Sequence, residues 1–321
     1  MYIKEITDSE MGIYNNLAEK YGTVFNTLRW LNLFKGRIKI FGYFDEDNRL
    51  FGGFHLFENN KFFIRYYNNP PFTPFIGPFF INKSSTDFKI LNFQKKVSKN
   101  LSKFIKKLNA ILLFFSLDRT LIDVQPFIWA KLKVYIRYTY ATNLRLNKEK
   151  IWENFSPERR NDIRKANNDG VKIFKGSDKN TLMELIMKSL TRQNKTIDIK
   201  SLEKIVFEFS SDINSFYFIA SYKEKPISVS FCIHDKKTAY YVIGGYDSNN
   251  KHHGAGASTL WECIKHAKKL DLKEFDFDGS MIPNIERFFR GFGGQLVPFY
   301  RINRTNYFIN LALSLVNKNN L

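Results

Sequence analysis

The stretch that decides the fold runs from Thr238 to Ser280 and reads TAYYVIGGYDSNNKHHGAGASTLWECIKHAKKLDLKEFDFDGS. Aromatic and β-branched residues bounded by Gly and Asp predict strands at 239–244 and 273–277. Between them we expect a loop that closes on Gly254-Ala255-Gly256 and a helix over 258–270. Such a loop presents unpaired backbone N–H groups at the positive end of a helix dipole. The stretch therefore indicates a site for an anionic group such as a phosphate, although an ordinary strand-to-helix turn also uses glycines.

The strand and helix patterns elsewhere predict an α+β (mixed α/β) fold in which one unit is built twice. Each half shows helical patterns followed by three strands separated by short polar turns, which favours an antiparallel meander. The strands are expected at 38–44, 50–57 and 62–67 in the first half, and at 215–222, 227–234 and 238–244 in the second. We therefore expect an N-terminal lobe of residues 1–146 and a C-terminal lobe of residues 147–321.

The two predicted lobes differ directly after the third strand of each meander. The first has Asn69-Pro70-Pro71-Phe72-Thr73-Pro74, and the second has Gly254-Ala255-Gly256. Because proline has no backbone N–H to donate, the first lobe lacks the donors that a phosphate needs. Only the C-terminal lobe is expected to hold such a ligand, so the N-terminal lobe is interpreted as degenerate.

The charge of the chain bears on its partners. Its 50 Lys and Arg residues outnumber 31 Asp and Glu residues and give a formal net charge of +19. This excess favours a polyanion such as tRNA, an anionic lipid or a phosphate-rich substrate. A predicted basic helix over 88–108 offers one such surface. Since the lysines are spread along the whole chain, a solvated lysine-rich surface explains the charge equally well.

Cysteine usage and hydropathy point to the cytoplasm. Cys232 and Cys263 show no paired spacing, so neither a disulfide framework nor a metal site is expected, and the compartment is expected to be reducing. The N-terminal MYIKEITDSE lacks the apolar segment of a signal peptide. The longest apolar runs, 110–115 and 307–316, are shorter than the roughly 20 residues that a membrane span needs. We expect no transmembrane segment, with peripheral membrane contact left open.

A capped helix is predicted shortly after the second lobe begins. Ser156 suits the N-cap position, Pro157 the first helical position and Gly170 the position just past the end. Its exposed face is expected to carry Arg159, Arg160, Arg164 and Lys165. Arg160 and Arg164 are four residues apart and are predicted to bind an acceptor phosphate, with an ordinary surface face as the alternative.

Several segments resemble the FemABX-type and related GNAT-like acyltransferases. Lys251 to Gly256 is similar to the pyrophosphate loop of GNAT enzymes, which has Arg or Gln before Gly-x-Gly. The other similar segments are Tyr241 to Tyr246, Glu274 to Ser280, Arg287 to Gly294, Asp123 to Trp129, Arg137 to Tyr140 and Arg160 to Ala166. The resemblance extends from about Asn26 to Tyr300 and is most specific after Arg160.

The resemblance implies two GNAT-like lobes, each with a central, largely antiparallel sheet flanked by helices. It implies transfer of an acyl group from acyl-CoA, or of an aminoacyl group from aminoacyl-tRNA, to an amine of a cell-envelope precursor or similar metabolite. Two positions depart from the family pattern. Lys251 replaces Arg or Gln and loses bidentate phosphate geometry. Phe288-Phe289 stands where many members have Phe-Lys, whose lysine is thought to stabilise the developing oxyanion, and this weakens the case for aminoacyl-tRNA.

These patterns assign predicted roles to individual residues. Donor binding is predicted for Lys251, Gly254, Ala255 and Gly256, acceptor binding for Arg160, Arg164 and Tyr246, and catalysis for Asp276, Asp278 and Arg290. Asp276 and Asp278 alternate on the predicted strand, so both are expected on one face, where paired carboxylates can raise one pKa and create a base. A solvated strand end is the alternative. No nucleophile triad or metal ligand set is recognised, so direct attack by the acceptor amine is expected.

A function of a different class also fits the sequence. The net charge of +19 and Phe289 in place of the family lysine suit a non-catalytic protein that keeps the fold and binds nucleic acid or another polyanion. Such a protein is expected to bind with a steep dependence on salt, because each phosphate contact releases counterions.

Overall fold

Two structural units make up the part of the chain that the computed structural model describes, residues 1–61, 64–82, 84–192 and 197–305. The first unit contains residues 1–137 and the described residues from Pro298 onward, and the second contains residues 138–297. The expected lobes, 1–146 and 147–321, differ from these units in two places. Residues 138–146 belong to the second unit, and the described residues from Pro298 onward belong to the first.

The first unit is a meander sheet with helices before and after it. Its helices are α1 (Met11–Tyr21), α2 (Leu28–Leu31), α3 (Asp87–Lys107) and α4 (Gln125–Trp129). Its strands are β1 (Tyr2–Glu5), β2 (Ile38–Phe44), β3 (Leu50–Lys61), β4 (Ile64–Asn68), β5 (Phe79–Phe80) and β6 (Leu112–Ser116). The sheet order is β1-β2-β3-β4-β6; β4 and β6 are parallel, and the other neighbours are antiparallel.

The second unit repeats this plan. Its helices are α5 (Lys148–Glu153), α6 (Pro157–Asn168), α7 (Lys179–Arg192), α8 (Ile199–Glu203), α9 (Ala255–Lys269) and α10 (Pro283–Arg290). Its strands are β7 (Lys133–Asn143), β8 (Lys172–Lys175), β9 (Ser215–Tyr222), β10 (Lys225–His234), β11 (Thr238–Tyr246) and β12 (Glu274–Asp276). The order β8-β9-β10-β11 is antiparallel throughout, β12 follows in parallel to β11, and β7 pairs with β12 antiparallel.

The last strand of the described chain, β13 (Gln295–Thr305), completes the first sheet. It pairs antiparallel with β6, from Arg301 opposite Ser116 to Thr305 opposite Leu112. Each sheet thus has a four-strand antiparallel run, one parallel pair and one further antiparallel strand. The expected α+β fold with a duplicated unit is confirmed.

Each unit has its own apolar core beneath its sheet. In the first unit, Val97, Leu101 and Ile105 of α3 pack against aromatic residues of the sheet such as Phe41 and Phe54. In the second unit, α9 buries one face against the sheet and against Ile151 and Phe155. That face consists of Leu260, Cys263, Ile264 and Ala267. Burying each large side chain contributes roughly 1.5–3 kcal/mol, which anchors the N-terminus of α9 in place.

Most predicted elements are present, and their deviations have local causes. Strands 38–44 and 215–222 have the predicted bounds, and the strand expected at 62–67 is described from Ile64 on. Helix α6 is capped as expected, since Ser156 Oγ accepts the Arg159 N–H at 3.2 Å and Gly170 has a φ of 81°. The helix expected over 258–270 begins at Ala255, so the glycine loop forms its first turn.

Candidate active site

A cleft of about 880 Å³ opens in the second unit where two parallel strands separate. Strands β11 and β12 pair only at Thr238–Glu274, Ala239–Phe275 and Tyr240–Asp276. Strand β12 then ends, while β11 continues for six more residues, and all six line the cleft. Among the described strands, none pairs with this side of 241–245, so the backbone groups of these five residues on that side have no strand partner at the cleft.

A β-bulge modifies this strand at the inner end of the cleft. On β10, Phe231 is opposite Ile243 and Cys232 is opposite Tyr241, so Val242 is an extra residue without a register partner. Bulges redirect backbone groups locally and occur frequently beside active sites. Val242 itself lines the cleft, so the bulge lies in the cleft wall.

The N-terminus of α9 forms the other end of the cleft. The Ala255 N–H donates to the His252 carbonyl at 3.0 Å, and the Gly254 N–H donates to His252 Nδ1 at 3.3 Å. These two donors hold the loop together and are already used. Gly256 lines the cleft, so its N–H, at the positive end of the helix dipole, is the donor best placed for an anion.

The two glycines of the loop are required for different reasons. A Cβ on Gly254 would lie 2.1 Å from the Asp162 carbonyl oxygen of α6, so this glycine permits close packing of α9 on α6. A Cβ on Gly256 would meet its nearest neighbour, Ser228 Oγ, at 3.8 Å. The space beside Gly256 is therefore the cleft itself, which leaves room for a ligand to approach the backbone.

The histidines of the loop have unequal surroundings. His252 is buried; its Nε2 lies 2.9 Å from Asp169 Oδ2, and because its Nδ1 accepts from Gly254, its Nε2 is the donor. This bond and the Lys165 ammonium lower the pKa of the Asp169 carboxyl. His253 is exposed, stacks on His252 with ring centroids 5.1 Å apart and lines the cleft. Lys251 is exposed and does not line the cleft.

The expected carboxylate pair is present, but its geometry differs from the prediction. Strand β12 ends at Asp276, and Asp278 has a φ of 55°, in the left-handed region. The two side chains therefore do not share a strand face, which corrects the expectation of a strand through 277. Asp276 is fully buried and its Oδ1 accepts the Asp278 N–H at 2.9 Å and the Thr139 hydroxyl at 2.6 Å. Asp278 lines the cleft.

The environment of Asp278 favours its protonated form. Burial of the carboxyl is the larger cause and the charge of nearby Asp276 the smaller, and together they raise the pKa of Asp278 well above its usual range. A carboxyl with a raised pKa at the wall of a cleft is suited to general acid–base chemistry. Asp276, which holds the Asp278 backbone, is a positioning residue.

Aromatic side chains close the inner end of the cleft beside Asp278. The ring of Phe289 lies 5.6 Å from Tyr241 and 5.5 Å from Phe277, centroid to centroid. Phe289 is only 5% exposed, and Phe288 beside it also lines the cleft. Phe289, which stands where the resembling family has a lysine, is thus part of an apolar wall. Among the described residues that line the cleft, none is a lysine or an arginine.

The remaining predicted site residues are distributed around the cleft. Tyr246 lines it, whereas Arg160, Arg164 and Arg290 do not. The Arg164 guanidinium lies 5.8 Å from the Trp152 ring centroid, and exposed Arg290 pairs with Glu286 at 2.9 Å. Acceptor binding by Arg160 and Arg164, and catalysis by Arg290, stay predictions.

Arg159 was expected on the exposed face of α6, and that expectation was wrong. It is 8% exposed, pairs with Asp162 at 2.9 Å and Glu158 at 3.2 Å, and lies over the Phe288 ring at 4.8 Å. It thereby supports α10 at the rim of the cleft. Its spacing from Asp162, Ile163 and Ala166 places it on one helical face with them, a signal that could have identified it.

Other kinds of site are not indicated in the part of the chain that the structure describes. It contains no group of three or more His, Cys, Asp or Glu side chains arranged for a metal. Cys232 and Cys263 are both buried, and burial raises the pKa of Cys232. Of the helices described, none combines the length and the hydropathy that crossing a membrane requires.

Comparison with known proteins agrees with this architecture. Residues 177–289 match the family model of the acetyltransferase (GNAT) domain, a range that contains every residue lining the cleft. At the level of sequence, no curated protein matches the chain.

Solved structures share the fold over nearly the whole chain. FemX is 14% identical, with a TM-score of 0.67 over 98% of this chain and 99% of that one. The C-terminal DUF2156 domain of a protein from Agrobacterium fabrum is 11% identical, with a TM-score of 0.60 over 95% of both chains. L-PGS from Bacillus licheniformis is 10% identical, with a TM-score of 0.57 over 98% of this chain and 96% of that one. Residues 177–289 are therefore similar to the GNAT acetyltransferase domain, and the chain shares its fold with FemX.

Proposed function

We propose that this protein is an N-acyltransferase that binds an acyl donor along β11 and transfers the acyl group directly to an acceptor amine. The observation that carries the proposal is the cleft between β11 and β12, which has an anion-binding end at Gly256 and a carboxyl with a raised pKa at Asp278. The match of residues 177–289 to the GNAT domain supports this reading.

The length of the cleft suits an extended donor. From Tyr241 to Tyr246 the strand advances about 17 Å, at about 3.3 Å per residue. The pantetheine arm of CoA carries amide groups, which can pair with an unpaired strand edge as an added strand does. A donor bound in this way places its pyrophosphate at Gly256 and its acyl carbon near Val242 and Asp278.

Each requirement of acyl transfer then has a candidate among the residues of the cleft. The strand edge orients the donor, and the Val242 N–H at the bulge stabilises the oxyanion that develops on the acyl carbonyl. Asp278 in its ionised form accepts the proton of the attacking amine as the new C–N bond forms. The C–S bond of the thioester then breaks, and the CoA thiolate leaves and takes up that proton, so the products are the amide and free CoA. Because both cysteines are buried, a thiol intermediate is disfavoured and direct attack by the amine is the simpler route.

The acceptor is proposed to be an amine of a cell-envelope precursor or a similar small metabolite. Support comes from the resemblance to FemABX-type acyltransferases and from the fold shared with FemX. The donor is proposed to be acyl-CoA. Aminoacyl-tRNA is the second candidate, and the apolar Phe289 in place of the family lysine counts against it.

A titration with two matched variants tests this function. The wild-type protein is titrated calorimetrically with acetyl-CoA and, separately, with aminoacyl-tRNA. Gly256→Asp introduces a carboxylate into the first turn of α9, where it suits the helix dipole but repels an anionic donor, so affinity should fall at least about tenfold without loss of folding. Gly256→Asn adds equal bulk without charge and should retain more affinity.

The outcomes separate the two donors and the rival class of function. Binding of acetyl-CoA alone supports the thioester, and binding of aminoacyl-tRNA alone supports the second donor. If neither donor binds, or if Gly256→Asp binds as tightly as the wild type, the acyltransferase proposal is wrong. Salt-sensitive binding of uncharged tRNA without any acyl transfer would instead favour the non-catalytic polyanion-binding function.

A further inference from the structure

The first unit exposes an unusual set of large apolar side chains on α3, α4 and the loop between β6 and α4. We name this set the α3–α4 surface; its members are Phe88, Leu91, Ile122, Ile128 and Trp129. Their exposed fractions range from 49% for Leu91 to 74% for Phe88, with Trp129 at 62%. Single exposed apolar residues are common, but a cluster of this kind marks an interaction site.

Lys95 connects α3 with α4 and with the loop before α4. Its Nζ lies 2.8 Å from Gln125 Oε1 and 3.2 Å from Asp123 Oδ2, and it stands 5.1 Å from the centre of the Trp129 ring. Leu91 lies four residues before Lys95 on α3, and Phe88 lies seven before it, so all three share one helix face. Ile122 precedes Asp123 and Ile128 precedes Trp129 in the sequence, so both lie in the segments that Lys95 contacts.

Lysines surround the apolar side chains. Lys89, Lys131 and Lys133 are exposed, and Lys95 lies within the surface over Trp129. The acidic groups on these elements are few: Asp123 is paired with Lys95, Asp118 is buried, and Asp87 is exposed. The rim is therefore positively charged, in keeping with the formal net charge of +19.

This composition distinguishes between two kinds of partner. Lysine is depleted at protein–protein interfaces, whereas anionic lipid headgroups attract lysines that lie near a membrane surface. Exposed Trp, Phe, Leu and Ile are the side chains that enter the boundary between headgroups and acyl chains. We propose that the α3–α4 surface is a docking site for an anionic phospholipid membrane, a role separate from acyl transfer in the second unit.

Vesicle binding by the full chain tests this inference. The protein is sedimented with vesicles of phosphatidylcholine that contain phosphatidylglycerol, and with vesicles of phosphatidylcholine alone. The wild type should bind the anionic vesicles preferentially, and added salt should weaken that binding. Ile128→Ser combined with Trp129→Ser should lower the partition coefficient at least about tenfold, because two large apolar side chains no longer enter the lipid.

Matched variants identify the surface and guard against misfolding. Ile213→Ser removes an isoleucine of the second unit that is 76% exposed, more than Ile128 at 56%, and should leave vesicle binding unchanged. Lys131→Gln with Lys133→Gln should weaken binding to anionic vesicles several-fold and reduce its salt dependence. Because all of these side chains are exposed, each variant should remain folded. Circular dichroism of each variant checks this expectation.

Fluorescence gives an independent readout of insertion. Trp30 and Trp261 are buried and Trp152 is half-buried, so Trp129 is the exposed tryptophan of the four in the chain. Anionic vesicles should shift the emission to shorter wavelength in the wild type, and Trp129→Phe should bind equally well without the shift. The inference is wrong if the wild type binds neither kind of vesicle, or if the Ile128/Trp129 double variant binds as the wild type does. It is also wrong if the Ile128/Trp129 double variant leaves vesicle binding unchanged and alters only self-association or binding to another protein.

Discussion

Asp276 and Asp278 show how two carboxylates of one short segment acquire different tasks. Asp276 lies in the core, where the Thr139 hydroxyl and the Asp278 N–H both donate to its Oδ1. Asp278 leaves the strand in a left-handed conformation and lines the cleft. Ionisation of Asp278 therefore costs free energy in the folded protein, because its carboxyl is buried and because the negative charge of Asp276 is nearby.

The substitution Asp278→Asn should stabilise the protein near neutral pH and abolish acyl transfer. Because the pKa of Asp278 is raised in the folded state, this group favours folding below its unfolded pKa, and the contribution is lost as pH rises through the folded value. Asn does not titrate, so the variant should melt above the wild type near neutral pH. The difference should shrink in acid, at about 1.4 kcal/mol per unit of pKa difference. Thermal melting of both proteins from acid to neutral pH measures this difference in stability.

A matched control for this experiment is Asp271→Asn. Asp271 also has a left-handed backbone, with a φ of 58°, but its side chain is exposed. Since Asn tolerates the left-handed region, this variant reports the effect of the same substitution at another left-handed position. A wild type that melts above Asp278→Asn at neutral pH would contradict the assignment of a raised pKa.

At the scale of elements, the N-terminus of α9 is held by contacts on two sides. Gly254 packs against the Asp162 carbonyl, and His252 donates to Asp169 just past the end of α6. Of the two glycines of this loop, Gly256 is the one that faces the open space of the cleft. The position of the anion site thus depends on how α9 meets α6, and this contact explains why the loop needs glycine at 254.

Alanine substitutions at the two glycines should have opposite effects. Gly254→Ala should destabilise the protein by about 1–3 kcal/mol, because its Cβ would lie 2.1 Å from a backbone oxygen. Gly256→Ala should be neutral or stabilising by up to about 1 kcal/mol, since alanine favours the helix, yet it should weaken donor binding because its methyl enters the cleft. Chemical denaturation and calorimetric titration measure the two effects. Equal loss of stability in both variants would contradict this picture.

At the scale of the whole molecule, the order of the strands in the sequence differs from the order in which they pair. Strand β13 follows all elements of the second unit in sequence, yet it pairs with β6 of the first unit. Ile302 of β13 is fully buried in the first core, together with Leu101 and Phe115. The first unit therefore requires residues from both ends of the sequence.

The substitution Ile302→Ala should destabilise the first unit by about 2–5 kcal/mol, the usual effect of truncating a buried aliphatic side chain. Leu296→Ala, on an exposed residue of the same strand, should change stability by much less. Hydrogen exchange of β6 and α3 amides localises the loss. Unchanged exchange there would show that β13 contributes little to this core.

The sequence by itself determined the elements whose signals are local. The strands at 38–44 and 215–222, the capped helix α6 and the glycine loop all follow from neighbouring residues, because turns, caps and runs of aromatic and β-branched residues are local signals. The resemblance to GNAT-like acyltransferases came from the glycine loop and other short segments, and the match of residues 177–289 to the GNAT domain confirms it.

Only the tertiary structure decided which residues surround the cleft and which strand completes each sheet. The separation of β11 from β12, the bulge at Val242 and the burial of Arg159 all depend on partners distant in the chain. The sequence predicted Asp276 and Asp278 on one face, because strand alternation alone places them there. The end of β12 and the left-handed turn at Asp278 separate them, since contacts with Thr139 and the surrounding core outweigh the local alternation.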